Sequence, residues 1–160
     1  MPRIQPFDPP YDAEVGAQLE RMMPPGVPPI GLFRTFARNL PMTRAMSGWG
    51  TYELSRELSL SLRDREILID RTCARCGCDY ELGVHVAFFA AKAGFSEDQV
   101  ASLATGSATD ACWTEARDRL LVELADELHD TSTASDELWS RVVAELDEAD
   151  FVLPALDGPA

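Results

Sequence analysis

From Ile30 onward apolar residues recur every three or four positions, and nowhere does an apolar/polar alternation run beyond five residues. That period lines apolar side chains along one face of a helix, whereas a half-buried strand needs period two. Leu32, Phe33 and Phe36 form a first face, interrupted at Asn39-Leu40-Pro41, and Met42–Leu54 follows, weakened by Gly48 and Gly50. Leu62–Cys76 carries Ile67, Leu68 and Arg71 at helical spacing; Asp79–Ala93 carries Leu82, Val86 and Phe89 and stops at Gly94, a suitable residue just past a helix end. Ser96-Glu97-Asp98-Gln99 has the form of a capping box opening a short helix to Leu103. Asp110–Leu128 has the clearest amphipathic pattern, through Trp113, Arg117, Leu120, Leu121, Leu124 and Leu128. Ser135–Leu146 follows, and Asp147 caps a last short segment that Pro154 ends. Ahead of these, prolines break residues 1–11 and 24–29, leaving Asp12–Met23 as a short helix. The expected fold is all-α: a Pro-rich N-terminal arm over 1–29, one helical domain over 30–153, and a tail over 154–160.

Charge narrows the partners. Residues 1–95 hold 11 basic and 11 acidic side chains and residues 96–160 hold 3 and 16, so the whole net charge of −13 belongs to the second part. Nucleic-acid binding neutralises phosphates with Lys and Arg, and this chain has one Lys and no basic run. An anionic membrane surface is disfavoured by the same sign. The longest apolar run, Val86–Ala91, is far short of the ~20 residues that span a bilayer. No apolar leader segment is visible after Met1. A soluble, cytoplasmic protein acting on a small molecule, with neither nucleic acid nor membrane as partner, is expected. The acids of the second part, Asp118, Glu123, Asp126, Glu127, Glu137, Glu145 and Asp147, are expected on solvated helix faces.

The residues that can do chemistry crowd between Asp64 and His85. A helix beginning after Gly77 puts Cys78 at its N-terminus, where unpaired N–H groups and the helix dipole favour a thiolate. Glu81 and His85 lie one helical turn apart and share a face with Cys78. Val84, Val86, Phe88 and Phe89 surround the histidine with apolar side chains, and burial there brings carboxyl and imidazole toward neutrality, as proton shuttling needs. Packing explains the same residues. A histidine amid Val and Phe is often a hydrogen-bonded core residue, Glu81 has Arg71 and Arg75 as possible partners, and a free cysteine is often plain filling; periodicity alone favours this account. Cys73, Cys76, Cys78 and His85 lack the two spaced ligand pairs of a structural zinc site, and His129 and Cys112 add no second pair. No metal is therefore expected. A Cys73/Cys76 redox dithiol stays open, without the βαβ setting that usually accompanies one.

Four stretches together resemble the carboxymuconolactone decarboxylase family, which shares its fold with the alkylhydroperoxidase AhpD. They are Gly31-Leu-Phe-Arg-Thr-Phe-Ala-Arg-Asn-Leu-Pro41, Leu62-Arg-Asp-Arg-Glu66-Ile-Leu-Ile-Asp-Arg71, Cys78-Asp-Tyr-Glu81-x3-His85 and Ala93-Gly-Phe-Ser-Glu-Asp98. The resemblance covers about residues 28–150 and implies an all-helical domain around a helix–turn–helix, assembled as a homo-oligomer (dimer, trimer or hexamer), with no cofactor. In the AhpD-like branch a Cys-x2-Cys-x3-His motif and an upstream glutamate form a peroxidatic dithiol with a proton relay. On that pattern Glu66 matches the glutamate, Cys78 the first cysteine and His85 the histidine, while Glu81 stands where the peroxide-attacking cysteine belongs. Cys76 or Cys73 would then have to partner Cys78. The decarboxylase branch instead implies proton transfer by histidine and carboxylate at a lactone acid. Similar proteins also continue through a further long apolar helix, so this sequence reads as shortened at its C-terminus.

The resulting expectation is thiol-dependent hydroperoxide reduction, a peroxiredoxin-type activity, by Cys78 with Glu66, Glu81 and His85 as relay. Cofactor-free decarboxylation or lactone chemistry by Glu81 and His85 is the alternative, and a non-catalytic helical interaction module is the third. Phe33, Trp49, Tyr52 and Tyr80 are the candidate substrate-pocket residues.

Overall fold

The structure, a computed structural model, describes residues 3–146. The expected segment capped by Asp147 and the tail from Pro154 lie outside them. Among the described residues there are eight helices and no strand: α1 (Ala13–Arg21), α2 (Gly31–Phe36), α3 (Leu40–Glu53), α4 (Leu62–Arg75), α5 (Asp79–Ala93), α6 (Glu97–Thr105), α7 (Ala116–Thr131) and α8 (Asp136–Glu145). The chain divides into two compact units, one up to Leu58 and one from Ser59 on. No helix among the described residues is long and apolar enough to cross a membrane.

In the first unit, Asn39 caps α3 by accepting from the Met42 N–H, with Pro41 tolerated in the first turn. Thr43, fully buried, donates its hydroxyl to the Phe36 carbonyl (2.6 Å), closing the α2–α3 corner.

In the second unit α4 is central and packs against α5, α6 and α7. Ser61 and Asp64 form a reciprocal capping box at its start. The chain leaves α4 through Gly77 at φ +68° and leaves α5 through Gly94 at φ +72°, left-handed conformations that cost a residue with a Cβ about 1–2 kcal/mol. Ser96 and Gln99 form the expected capping box of α6. Ile67, Leu103, Trp113, Leu120, Leu121, Leu124, Leu138 and Val142 make a core shared by α4, α6, α7 and α8. By contrast α5 buries only Ala93, and Leu82, Val86 and Phe89 stay half-buried.

Two expectations need correction. The helix read from Asp110 begins only at Ala116. Asp110 instead accepts from the Ser107 N–H (3.0 Å) and the Ser102 hydroxyl (2.7 Å), and the buried Trp113 donates its indole N–H to the same hydroxyl (2.8 Å). These side-chain bonds hold 107–113 as a turn in competition with the helix. Nor are all the acids of α7 solvated. α4 and α7 run parallel, and Arg63–Asp118 (2.7 Å), Arg71–Asp126 (2.6 Å) and Arg75–Asp130 pair across them at a constant separation of 55 residues. Asp118 is buried, and the buried Arg71 also donates to the Leu103 carbonyl (3.0 Å), binding α4 to α6 and α7 together.

Candidate active site

Helical spacing divides α4 into two stripes. Arg63, Ile67 and Arg71 face the core, and Glu66, Asp70 and Cys73, at i, i+4 and i+7, turn toward α5. Glu66 is fully buried and uses both carboxylate oxygens. Arg65 donates to Oε1 from Nε (3.0 Å) and Nη2 (2.9 Å), and Oε2 accepts from His85 Nδ1 at 2.8 Å. With Glu66 as acceptor, the Nδ1–H tautomer is fixed and Nε2 is left as the working nitrogen. Nε2 lies 3.7 Å from Glu81 Oε1 one turn earlier on α5, and the His85 ring packs against Phe89 with centroids 5.5 Å apart. A line of carboxylate, imidazole and carboxylate results, buried at Glu66 and opening outward at Glu81.

A third acid, absent from the sequence expectations, completes the cluster. Asp70 is 1% exposed, and neither of its oxygens has a hydrogen-bond partner among the described residues. One donor atom from each of Glu66, Asp70 and His85 lies within 4.8 Å of the others. Burial and the charge of Glu66 push the Asp70 carboxyl up to about 7, with His85 pulling it back. Burial opposes charging His85, but the hydrogen bond and charge of Glu66, followed by Glu81 and Asp70, outweigh it and hold the imidazole above its ordinary pKa. The sequence signal for Asp70 was its position one turn after Glu66 on the same face; periodicity could not show which neighbour that face meets. The three side chains carry donor types that suit a divalent cation. Both Glu66 oxygens are already engaged, however, one by the Arg65 guanidinium, whose positive charge opposes a cation there. Their arrangement suits proton transfer.

The cysteines of this segment lie at the end of α4 and the start of α5. Cys78 occupies the N-cap of α5 as expected, but it is exposed, and its sulfur has the Cys76 carbonyl, at 4.0 Å, as its hydrogen-bond contact. Cys76 is also exposed and lies 3.7 Å from His129 Nδ1, because the parallel packing of α4 and α7 brings their C-terminal ends together. Burial, with the charges of Glu81, Cys78, Asp70 and Cys76, pushes the half-buried Cys73 thiol up to about 11, away from the nucleophilic form. Arg71 and Arg75, the partners foreseen for Glu81, are committed to α7. Tyr80 is exposed at the start of α5. Phe33 lies on α2, and Trp49 and Tyr52 lie exposed on α3 with ring centroids 6.1 Å apart; all three belong to the first unit.

The chain is all-helical among the described residues, with a histidine held between a buried and a half-exposed carboxylate in a helix–turn–helix, an arrangement chemically suited to proton transfer. The model of the carboxymuconolactone decarboxylase family matches residues 41–125, more than half of the chain and all of the α4–α5 site. The chain belongs to that family. No curated protein and no solved structure gives a significant match.

Proposed function

We propose that the chain is an acid–base enzyme acting on a small lactone acid or related carbon acid, with His85 as the proton-transfer group. The observation that carries this reading is the Glu66–His85–Glu81 line, with Nδ1 tied to Glu66 at 2.8 Å and Nε2 facing Glu81 at 3.7 Å. In a decarboxylation, the bond between the carboxylate carbon and the ring breaks, carbon dioxide leaves and its electron pair enters a dienolate. The His85 imidazolium then gives its Nε2 proton to the carbon. Glu66 stabilises the imidazolium, and Glu81 orients Nε2 and the substrate beside it. General acid–base help of this kind is worth about 10²–10⁴-fold in rate. The test is turnover of carboxymuconolactone: His85→Ala should lose about that factor with its helical content retained, and unchanged turnover would refute the reading.

A second reading, hydroperoxide reduction by Cys78, draws on its exposure at the N-terminus of α5, two residues from another exposed thiol. Its discriminating assay is consumption of cumene hydroperoxide with dithiothreitol. Loss in Cys78→Ser supports it; equal rates in both proteins, or none in either, remove it. We also infer that a second copy of the chain covers α5, whose Leu82, Val84, Val86, Phe88 and Phe89 are only half-buried. Sedimentation should then show a homo-oligomer, and a monomer at all concentrations would refute it.

A further inference from the structure

Asp70 is a buried carboxyl with no hydrogen-bond partner among the described residues, and such groups need a physical explanation. Nothing in the acid–base reading above uses it. Beside it, α4 supplies Glu66, already held by Arg65, and Cys73; α5 supplies His85 and, beyond it, Glu81. The charged and titratable groups that α7 turns toward α4, namely Arg117, Asp118, Asp126, His129 and Asp130, meet Asp64, Arg63, Arg71, Cys76 and Arg75, and α6 offers Arg71 its backbone carbonyls. Among the described residues Asp70 therefore has no guanidinium or ammonium partner. The group able to compensate its charge is His85, a ring nitrogen of which lies within 4.8 Å of an Asp70 oxygen.

We propose that Asp70 is a positioning residue of this site that shares one proton with His85. With the proton on Asp70 the imidazole is neutral and its Nε2 can accept; with the proton on His85 the imidazolium can donate, and Asp70 carries the compensating negative charge. The total charge of the buried cluster is the same in both arrangements, so the histidine changes role without a net charge entering a site shielded from water. The reciprocal influences agree: His85 favours ionised Asp70, and ionised Asp70 favours charged His85. The two groups titrate as a pair. The inference rests on the reading of His85 as the proton-transfer group, but its test needs no turnover.

The experiment follows the His85 ring nitrogens by ¹⁵N-detected NMR across pH in the wild-type protein and in Asp70→Asn. Sharing predicts that His85 titrates lower in Asp70→Asn by about one unit or more, with Nδ1 still protonated in the neutral form. Wherever turnover is measurable, the pH profile of kcat moves with it. An unchanged His85 titration overturns the inference and leaves the acid–base reading intact, whereas undiminished turnover in His85→Ala overturns that reading and not the shared proton. Should Asp70→Asn fail to fold, the ¹³C carboxyl signal of Asp70 in the wild-type protein decides: a transition tracking that of His85 supports sharing, and a single transition near the usual aspartate pKa of ~3.9 overturns it. Stoichiometric binding of Mn²⁺ or Zn²⁺ by the wild-type protein, abolished in Asp70→Asn, would also overturn it by making the cluster a cation site.

Discussion

Replacing Asp70 with Asn should alter the pH dependence of stability more than stability itself. Burial and the Glu66 charge raise the Asp70 carboxyl from 3.8 to about 7 in the folded protein. Between those values the native state holds a proton that the unfolded chain has released. Stability then falls as pH rises: the contribution is fully present below 3.8 and is lost as pH climbs through about 7. Three pH units at about 1.4 kcal/mol each put the cost of the ionised carboxylate at up to about 4 kcal/mol at and above neutrality. Asn is nearly isosteric and cannot ionise, so its own unsatisfied amide costs the same at every pH. Urea unfolding of both proteins at about pH 4.5, 6 and 8 gives the comparison. The wild type should lose about 2–4 kcal/mol more than Asp70→Asn between the lowest and highest pH. Parallel curves would show that Asp70 ionises as an ordinary surface aspartate, and the argument from its burial would fail.

Three further perturbations separate the site from its scaffold. Glu66→Gln keeps an acceptor for His85 Nδ1 but removes the negative charge that helps hold His85 above its usual pKa, so the His85 titration should fall and kcat should drop more than KM rises. It should also remove stability that a raised histidine supplies below pH ~6.5 and loses as pH rises through the folded value; NMR titration and urea melts check both. Arg71→Ala removes the buried guanidinium that holds Asp126 and the Leu103 carbonyl, and because Asp126 keeps Arg75 at 3.6 Å it should cost about 1.5–3 kcal/mol, whereas Arg75→Ala, at the more exposed Asp130 end of the same ladder, should cost under about 1 kcal/mol. Gly94→Ala forces a side chain into the φ +72° conformation and should lower stability by about 1–2 kcal/mol without moving the His85 titration.

What could be read from the sequence was local. Gly77 and Gly94 bounded α5, Ser96 and Gln99 announced α6, and one-turn spacing placed Glu81 beside His85, because each of these depends on residues within a turn or two. The start of α7 was misplaced because Ser102, eight residues before Asp110, supplies the hydroxyl that holds Asp110 and Trp113 in a turn. Asp70 was missed for a similar reason. Its burial depends on how α5 lies against α4, and a helical pattern does not reveal which neighbour an acidic stripe faces. Cys78 shows the converse. Its place at the N-terminus of α5 was legible, but its exposure depends on which way the turn at Gly77 carries the chain.

The division of charge along the sequence has a structural consequence for the site. The acids concentrated after residue 95 include Asp118, Asp126 and Asp130, and these take up Arg63, Arg71 and Arg75 of α4 at a constant register. Three of the four arginines from Arg63 to Arg75 are therefore spent on the side of α4 that faces α7. Among the described residues of α4, Arg65 is the arginine left for the opposite stripe, where Glu66 and Asp70 meet His85 and Glu81. Three carboxyls against one guanidinium leave an excess of negative charge in a place largely closed to water, and the cheapest compensation there is a proton. The shifts of Asp70, His85 and Cys73 all lie in the direction of proton retention. The acidic second part of the chain thus bears on the chemistry indirectly: by drawing arginines away from the α5 side, it leaves a histidine among acids that favour its protonated form.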